Sequence, residues 1–199
     1  MHEQAVRSAV RRPRMTPDRA SELLDVTLDI LREVGYGSLS MDLIASRGRC
    51  SKATIYRQWG SKAQMVAAAV AALRPADSVG GDAGSLRGDL LLLFEQLGSR
   101  ADKDTTMIAA LHHALLTDAK LAEAFRVSML EPAREELAGI VERAMRRQEL
   151  PDRPGAAQFL PSLVWSALVA RPFFEGLTAD ADYLEQFVDD VILPALQHS

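Results

Sequence analysis

One local signal constrains this chain more than any other: a hydroxyl residue, a helix-favouring first turn, then apolar residues three and four positions apart. Thr16-Pro17-Asp18 offers an N-cap, a proline at the first helical position and an acid in the first turn. Ala20, Leu23, Leu24, Leu28, Leu31 and Val34 then fall on one face, and Gly35 and Gly37 end the segment. Ser40 caps a short second helix carrying Met41, Leu43, Ile44 and Ala45. Gly48-Arg49 is a turn, Ser51 caps a third helix ending near Gly60, and Ser61 caps an Ala-rich fourth that stops before Pro75. Strand alternation is sparse, and a chain without Asn has no Asn-Gly hairpin signal. The expected fold class is all-α, with about nine helices.

The rest of the chain keeps the helical rhythm. Residues 75–85 (PADSVGGDAGS) have loop composition. Beyond them helices are expected near 86–99, 105–117, 119–148, 154–171 and 180–196. Pro132 should kink or split the long one, and Pro161 and Pro172 should bend or bound the next. The organisation expected is a flexible basic arm over 1–15, a small helical domain with its connecting helix over 16–74, a loop over 75–85, and a second helical domain over 86–199.

Composition excludes several classes. With 199 residues, 48 % apolar and 25 % charged, the chain can bury a core and does not read as disordered. Leu160–Val169 is too short an apolar run to span a bilayer. The N-terminus has arginines but no apolar stretch of a secretion signal, and the single Cys50 cannot form an intramolecular disulfide. Together these favour the cytoplasm, with no membrane partner. Residues 1–62 hold 11 Lys/Arg against 7 Asp/Glu, whereas residues 63–199 hold 12 against 20. A basic head on an acidic body suggests a polyanion for the head.

The third helix carries the chemistry. Ile55 and Trp59 lie four apart on one face beside Cys50; Lys52 pairs with Tyr56, Ala53 with Arg57 and Thr54 with Gln58 at the same spacing. A helix this short is not stable alone, so the first helix, Leu43 and Ile44 must hold it from behind. A cation-and-hydroxyl front on a propped stub suits a major groove, and its partly positive N-terminus suits phosphate.

The stretch LDILREVGYGSLSMDLIASRGRCSKATIYRQWGSKAQMV resembles the helix-turn-helix domain of TetR-family transcriptional regulators. The positions that carry the resemblance are Gly35-Tyr36-Gly37, Ser40, Ile44-Ala45, Ser51, Thr54, Ile55, Tyr56, Trp59 and Ser61-Lys62. It implies a homodimer that sets two third helices in the half-sites of a near-palindromic DNA operator, as a regulator and not an enzyme. By position, Lys52, Ala53 and Thr54 face base edges or nearby phosphates, Tyr56 and Lys62 grip phosphates, and Ser40 contacts backbone. The helical wheel adds Arg57 and Gln58. The sequence departs from the family at Gly48-Arg49-Cys50, where the turn glycine stands one place early. Either Gly48 supplies the left-handed residue in a shifted turn, or Arg49 adopts it at a cost of about 1–2 kcal/mol; Arg49 also adds a cation beside the DNA. Cys50 stands at a small apolar position and reads as a buried thiol. In the arm, VRRPRM is either a minor-groove reader or a solvated tail.

For the body, the resemblance implies dimerisation and a pocket for a small hydrophobic effector whose binding moves the DNA-binding heads and releases a repressor. Phe94, Leu97, Met107, Leu111, His112, Phe125, Met129 and Trp165 are the candidate lining, since Met, Phe and Trp adapt to apolar ligands, although core packing explains any one of them. His112 and His113 point about 100° apart on a helix and cannot chelate one ion, so neither metal nor cofactor is expected. Phe159, Leu163, Trp165, Leu168, Val169, Phe187, Val188, Val191 and Ile192 either form a four-helix dimer interface or close the monomer's own core. A P-loop, a Gly-x-Ser-x-Gly elbow and a Cys/His pair are all absent from the sequence.

Overall fold

The computed structural model describes residues 15–73, 81–98, 107 and 111–199, without the side chains of 97, 98, 172 and 173. The arm residues 1–14, residue 74, the first part of the expected loop, 75–80, and residues 105, 106 and 108–110 of the helix expected near 105–117 lie outside the described residues. The chain is all-α, and no strand occurs among the described residues. Its helices are α1 (Pro17–Ser38), α2 (Met41–Arg47), α3 (Lys52–Trp59), α4 (Lys62–Ala71), α5 (Leu86–Gly98), α6 (111–117), α7 (Ala119–Phe125), α8 (Glu131–Arg146), α9 (Leu160–Glu175), α10 (Ala181–Phe187) and α11 (Leu193–Gln197).

The first four helices start where hydroxyl caps place them. Thr16, Ser40, Ser51 and Ser61 accept from the amides of Arg19, Leu43, Thr54 and Gln64, each satisfying one of the orphan donors of a helix start. Gly35, at φ 70°, ends the regular part of α1. The buried face of α1 differs from the expected stripe: Ile30 is fully buried, while Val34 is 39 % exposed. α1 packs against both α2 and α4, which widens its buried arc beyond one stripe.

Pro132 splits the long helix one turn upstream of itself. Between α7 and α8 the backbone widens into a π turn, Arg126–Leu130, and the Glu131 amide reaches the Arg126 carbonyl. A proline has no amide to donate, and its ring crowds the carbonyl four residues back; one wide turn relieves that crowding. The same device recurs before Pro194, where Val188–Ile192 is a π turn closed by the Leu193 amide on the Val188 carbonyl. Pro161 sits in the first turn of α9, where it is tolerated, and follows a 3₁₀ turn, Gly155–Phe159.

Two apolar clusters hold the fold. One joins α1–α4 to Met107, Leu111, Leu121 and Phe125, so it runs across the sequence-level boundary between head and body. The other packs α5, α8, α9, α10 and α11 together. Phe94 belongs to the second cluster, with Leu86, Leu90, Val188 and Ile192. At its edge the buried Asp89 carboxylate accepts from the Ala83 amide at 2.7 Å, from Arg143 at 3.2 Å and from Arg147 at 3.0 Å. Burial opposes that charge, but these donors outweigh it and hold Asp89 below the usual carboxylate range.

Candidate nucleic-acid interface

The recognition surface is built from the back. Ile55 has no exposed surface and Trp59 is packed beside it against the α1–α4 cluster, with Cys50 and Leu43. Burial of a side chain the size of Ile55 is worth about 1.5–3 kcal/mol, which anchors a helix of eight residues that has little stability of its own. With Ile55 inward, Lys52, Ala53, Tyr56, Arg57 and Gln58 are exposed and Thr54 is half-buried. Thr54 is partly committed already, its hydroxyl 2.8 Å from that of the cap Ser51. Ser40 is exposed at the start of α2. None of the α3 residues expected to face DNA is buried in the core.

The turn between α2 and α3 settles which residue takes the left-handed conformation: Arg49, at φ 47°, while Gly48 lies at φ −75°. Gly48 is needed for a different reason. A Cβ there would sit 2.3 Å from Leu23 Cδ2 and 2.9 Å from the Ile44 carbonyl, so α1 can approach only a glycine. Arg19 of α1 spans the turn and donates to the carbonyls of Gly48 and Arg49, fixing the strained residue where local propensity alone does not. Arg49 itself is exposed. Burial raises the Cys50 thiol pKa, against a smaller opposing pull from Arg19, which disfavours the thiolate.

The cations on this front are not equivalent. Lys52 Nζ lies 2.8 Å from Asp42 Oδ2 of α2, a hydrogen bond that raises its pKa. No carboxylate partner is seen for Arg57 among the described residues. Lys62 is half-buried, its Nζ 4.1 Å above the centre of the Tyr36 ring. Burial pulls its ammonium below the usual lysine range, against the attraction of Asp118. The Tyr36 hydroxyl donates to Asp118 Oδ2 at 2.8 Å; burial first, then that carboxylate, push the phenol well above its ordinary range. Asp118 in turn caps α7, accepting from the amides of Lys120 and Leu121 at 3.0 and 3.1 Å. Sequence reasoning used Tyr36 only as part of a turn and missed Arg19, Asp42 and Asp118. The one local clue was a tyrosine where an aromatic ring alone is enough for packing.

Behind the head lies a cavity of about 710 Å³, within the size range of small-molecule sites. Val70 and Leu73 close its head side, and α5, α6, α7, the first π turn, α8, the 3₁₀ turn and α9 supply the rest. Of the candidate lining, His112, Phe125, Met129 and Trp165 are on its wall, with Phe125 and Trp165 meeting edge to face at 6.2 Å. Phe94, Met107 and Leu111 are instead fully packed in the two clusters, and the Leu97 side chain lies outside the described residues. Arg126 reaches the cavity but is bound by Glu123 and Glu131. No group of three or more metal-ligating side chains occurs among the described residues. Of the candidates for a dimer interface, Val188 and Ile192 are buried in the chain's own body, whereas Phe159 is 57 % exposed.

Known proteins match this arrangement along its length. Residues 23–69 match the family described as bacterial regulatory proteins, tetR family, and residues 81–191 the tetracyclin repressor-like C-terminal domain. The HTH-type transcriptional regulator Rv1556 of Mycobacterium tuberculosis is 32 % identical over 182 residues, covering 91 % of this chain and 89 % of that protein. The DNA-binding transcriptional repressor TetR of Mycobacteroides abscessus is 33 % identical over 181 residues, 88 % of this chain and 92 % of that one. Among solved structures, the TetR family transcription regulator SCO0332 superposes with a TM-score of 0.66 at 24 % identity, over 89 % of this chain and 97 % of that one. The flavonoid-responsive regulator FrrA superposes at 0.64 and 22 %, over 92 % and 97 %. With both parts of its length matched, this chain belongs to the TetR family of DNA-binding transcriptional regulators, which are not enzymes.

Proposed function

We propose that the protein is a cytoplasmic repressor that binds a near-palindromic operator as a homodimer and is released by a small hydrophobic effector. The observation that carries this reading is the reach of α4. Its first residue, Lys62, is one of the expected phosphate contacts, and Val70, with Leu73 just beyond the helix, forms part of the cavity wall. One short rigid helix therefore touches both places, and a ligand that displaces the wall tilts the front. Phe125, Met129 and Trp165 supply an apolar, adaptable lining, while His112, Ser162 and Ser166 offer polar contacts on the same wall. An amphipathic, mainly apolar effector suits that surface; the flavonoid response named for FrrA is one such chemistry.

In a dimer the two α3 fronts must stand about 34 Å apart to enter successive major grooves on one face of the duplex. The exposed Phe159 and Val191 and the loop residue Leu177 are apolar surface available to a second copy. The test begins with the duplex that the pure protein selects from a random pool, followed by titration of hydrophobic aromatic compounds into the protein–DNA complex. A selected palindrome, a 2:1 stoichiometry and release by compounds that also raise the melting temperature are expected. A selected palindrome with no compound acting leaves a DNA-binding regulator without a small-molecule effector.

A further inference from the structure

Tyr36 stands between two elements that the DNA-binding and cavity readings assign to different tasks. Its ring carries the Lys62 ammonium at 4.1 Å on one side. Its hydroxyl donates at 2.8 Å to Asp118, 82 positions away in sequence. Asp118 is the cap of α7, the helix that carries Phe125 into the cavity and continues through the π turn to Met129. Gly35, at φ 70°, breaks α1 immediately before Tyr36.

We propose that Tyr36 is the positioning residue that couples the phosphate grip of Lys62 to the start of α7. It rests on the regulatory reading above and names the side chain through which the two sites sense each other. A cation over the ring withdraws electron density from the phenol, so the hydroxyl is the better donor while Lys62 is stacked on it. When a DNA phosphate draws Lys62 away, the hydroxyl donates less strongly, Asp118 is held less firmly and the first turn of α7 loosens. Because linkage is reciprocal, displacement of α7 by a ligand weakens the hold on Tyr36 and alters the setting of Lys62 by the same free energy.

Hydrogen exchange tests this without any effector. The full chain is compared free and saturated with its selected operator, reading the amides of Lys120 and Leu121. In the wild-type protein, operator should quicken their exchange at least about fivefold, the lower end of ordinary coupling. Tyr36→Phe keeps the ring and the stacked lysine but removes the donor, and should abolish that response while leaving the melting temperature and operator affinity within a few-fold of wild type. Asp118→Ser, which still caps α7 but is too short to reach Tyr36, should do the same and serves if the first variant folds poorly. An equal response in wild type and both variants, or no response in wild type, overturns the coupling. Neither result touches the cavity reading, which stands or falls on compound-driven release of DNA.

Discussion

The head and the body of this molecule are both helical, yet only the body has helices that begin without a side-chain cap. Each helix of the head opens on a hydroxyl that accepts a backbone amide. In the body Ser85, Asp118 and Asp180 cap α5, α7 and α10 in that manner, but α8 and α11 begin without any side-chain cap, emerging from π turns that precede Pro132 and Pro194. Local signals therefore set the head residue by residue, as a surface that must meet a duplex requires. The body interrupts its long helices at places where a wide turn is tolerated. Such turns are frequent at functional sites, and the first of them, Arg126–Leu130, carries Met129 and Leu130 to the cavity wall.

Substitution can break that contrast, starting with the largest effect. Ile55→Ala removes the fully buried anchor of α3 and should cost about 2–5 kcal/mol in urea unfolding, with loss of operator binding in a gel-shift titration. If the head melts alone, the contrast sharpens; if the body melts with it, the cluster shared by Leu111, Leu121 and Phe125 makes the two one cooperative unit. In the body, Asp89→Asn should cost about 1–3 kcal/mol at neutral pH, the penalty for weakening a buried charged network. The Asp89 carboxyl has a lowered pKa in the folded state. Its stabilisation is therefore complete above the unfolded-state pKa and is lost as pH falls through the folded value. Unfolding free energies measured downward from about pH 5 should fall more steeply for wild type than for the variant.

The next effect carries opposite signs in one residue. Arg49→Gly relieves the left-handed strain at φ 47° and should raise the head's stability by about 1–2 kcal/mol. It also removes a cation from the DNA front, so operator affinity should drop while the melting temperature rises. The smallest effect is expected at Lys62. Lys62→Ala should reduce the slope of log affinity against log salt by about one unit; an unchanged slope means that the ammonium stays on Tyr36 in the complex and never reaches phosphate.

How much of this was legible beforehand follows from how local each cause is. The four hydroxyl caps, the inward Ile55 and Trp59 and the outward Lys52, Tyr56 and Arg57 all depend on residues within one or two turns, and spacing alone reveals them. The buried Ile30 and the half-exposed Val34 were not legible, because two neighbouring helices rather than one decide which arc of α1 is covered. The cavity wall was half legible. Phe125, Met129 and Trp165 have the right chemistry and the right place, whereas Phe94, Met107 and Leu111 have the same chemistry and pack in cores. Apolar character says that a side chain leaves water; it does not say whether protein or a void receives it.

By itself, then, the sequence determined an all-α chain, a helix-turn-helix head with its reading face outward, and membership in a family of DNA-binding regulators, because caps, helical period and a gap-free motif act over short distances. The tertiary structure alone decided that Arg49 and not Gly48 takes the left-handed place, and that position 48 has to be glycine, since Leu23 of α1 leaves no room for a Cβ there. It alone brought Tyr36 to Asp118 and Arg19 to the turn carbonyls. These contacts join residues dozens of positions apart, and their free energy exists only once the packed helices have brought them within bonding distance.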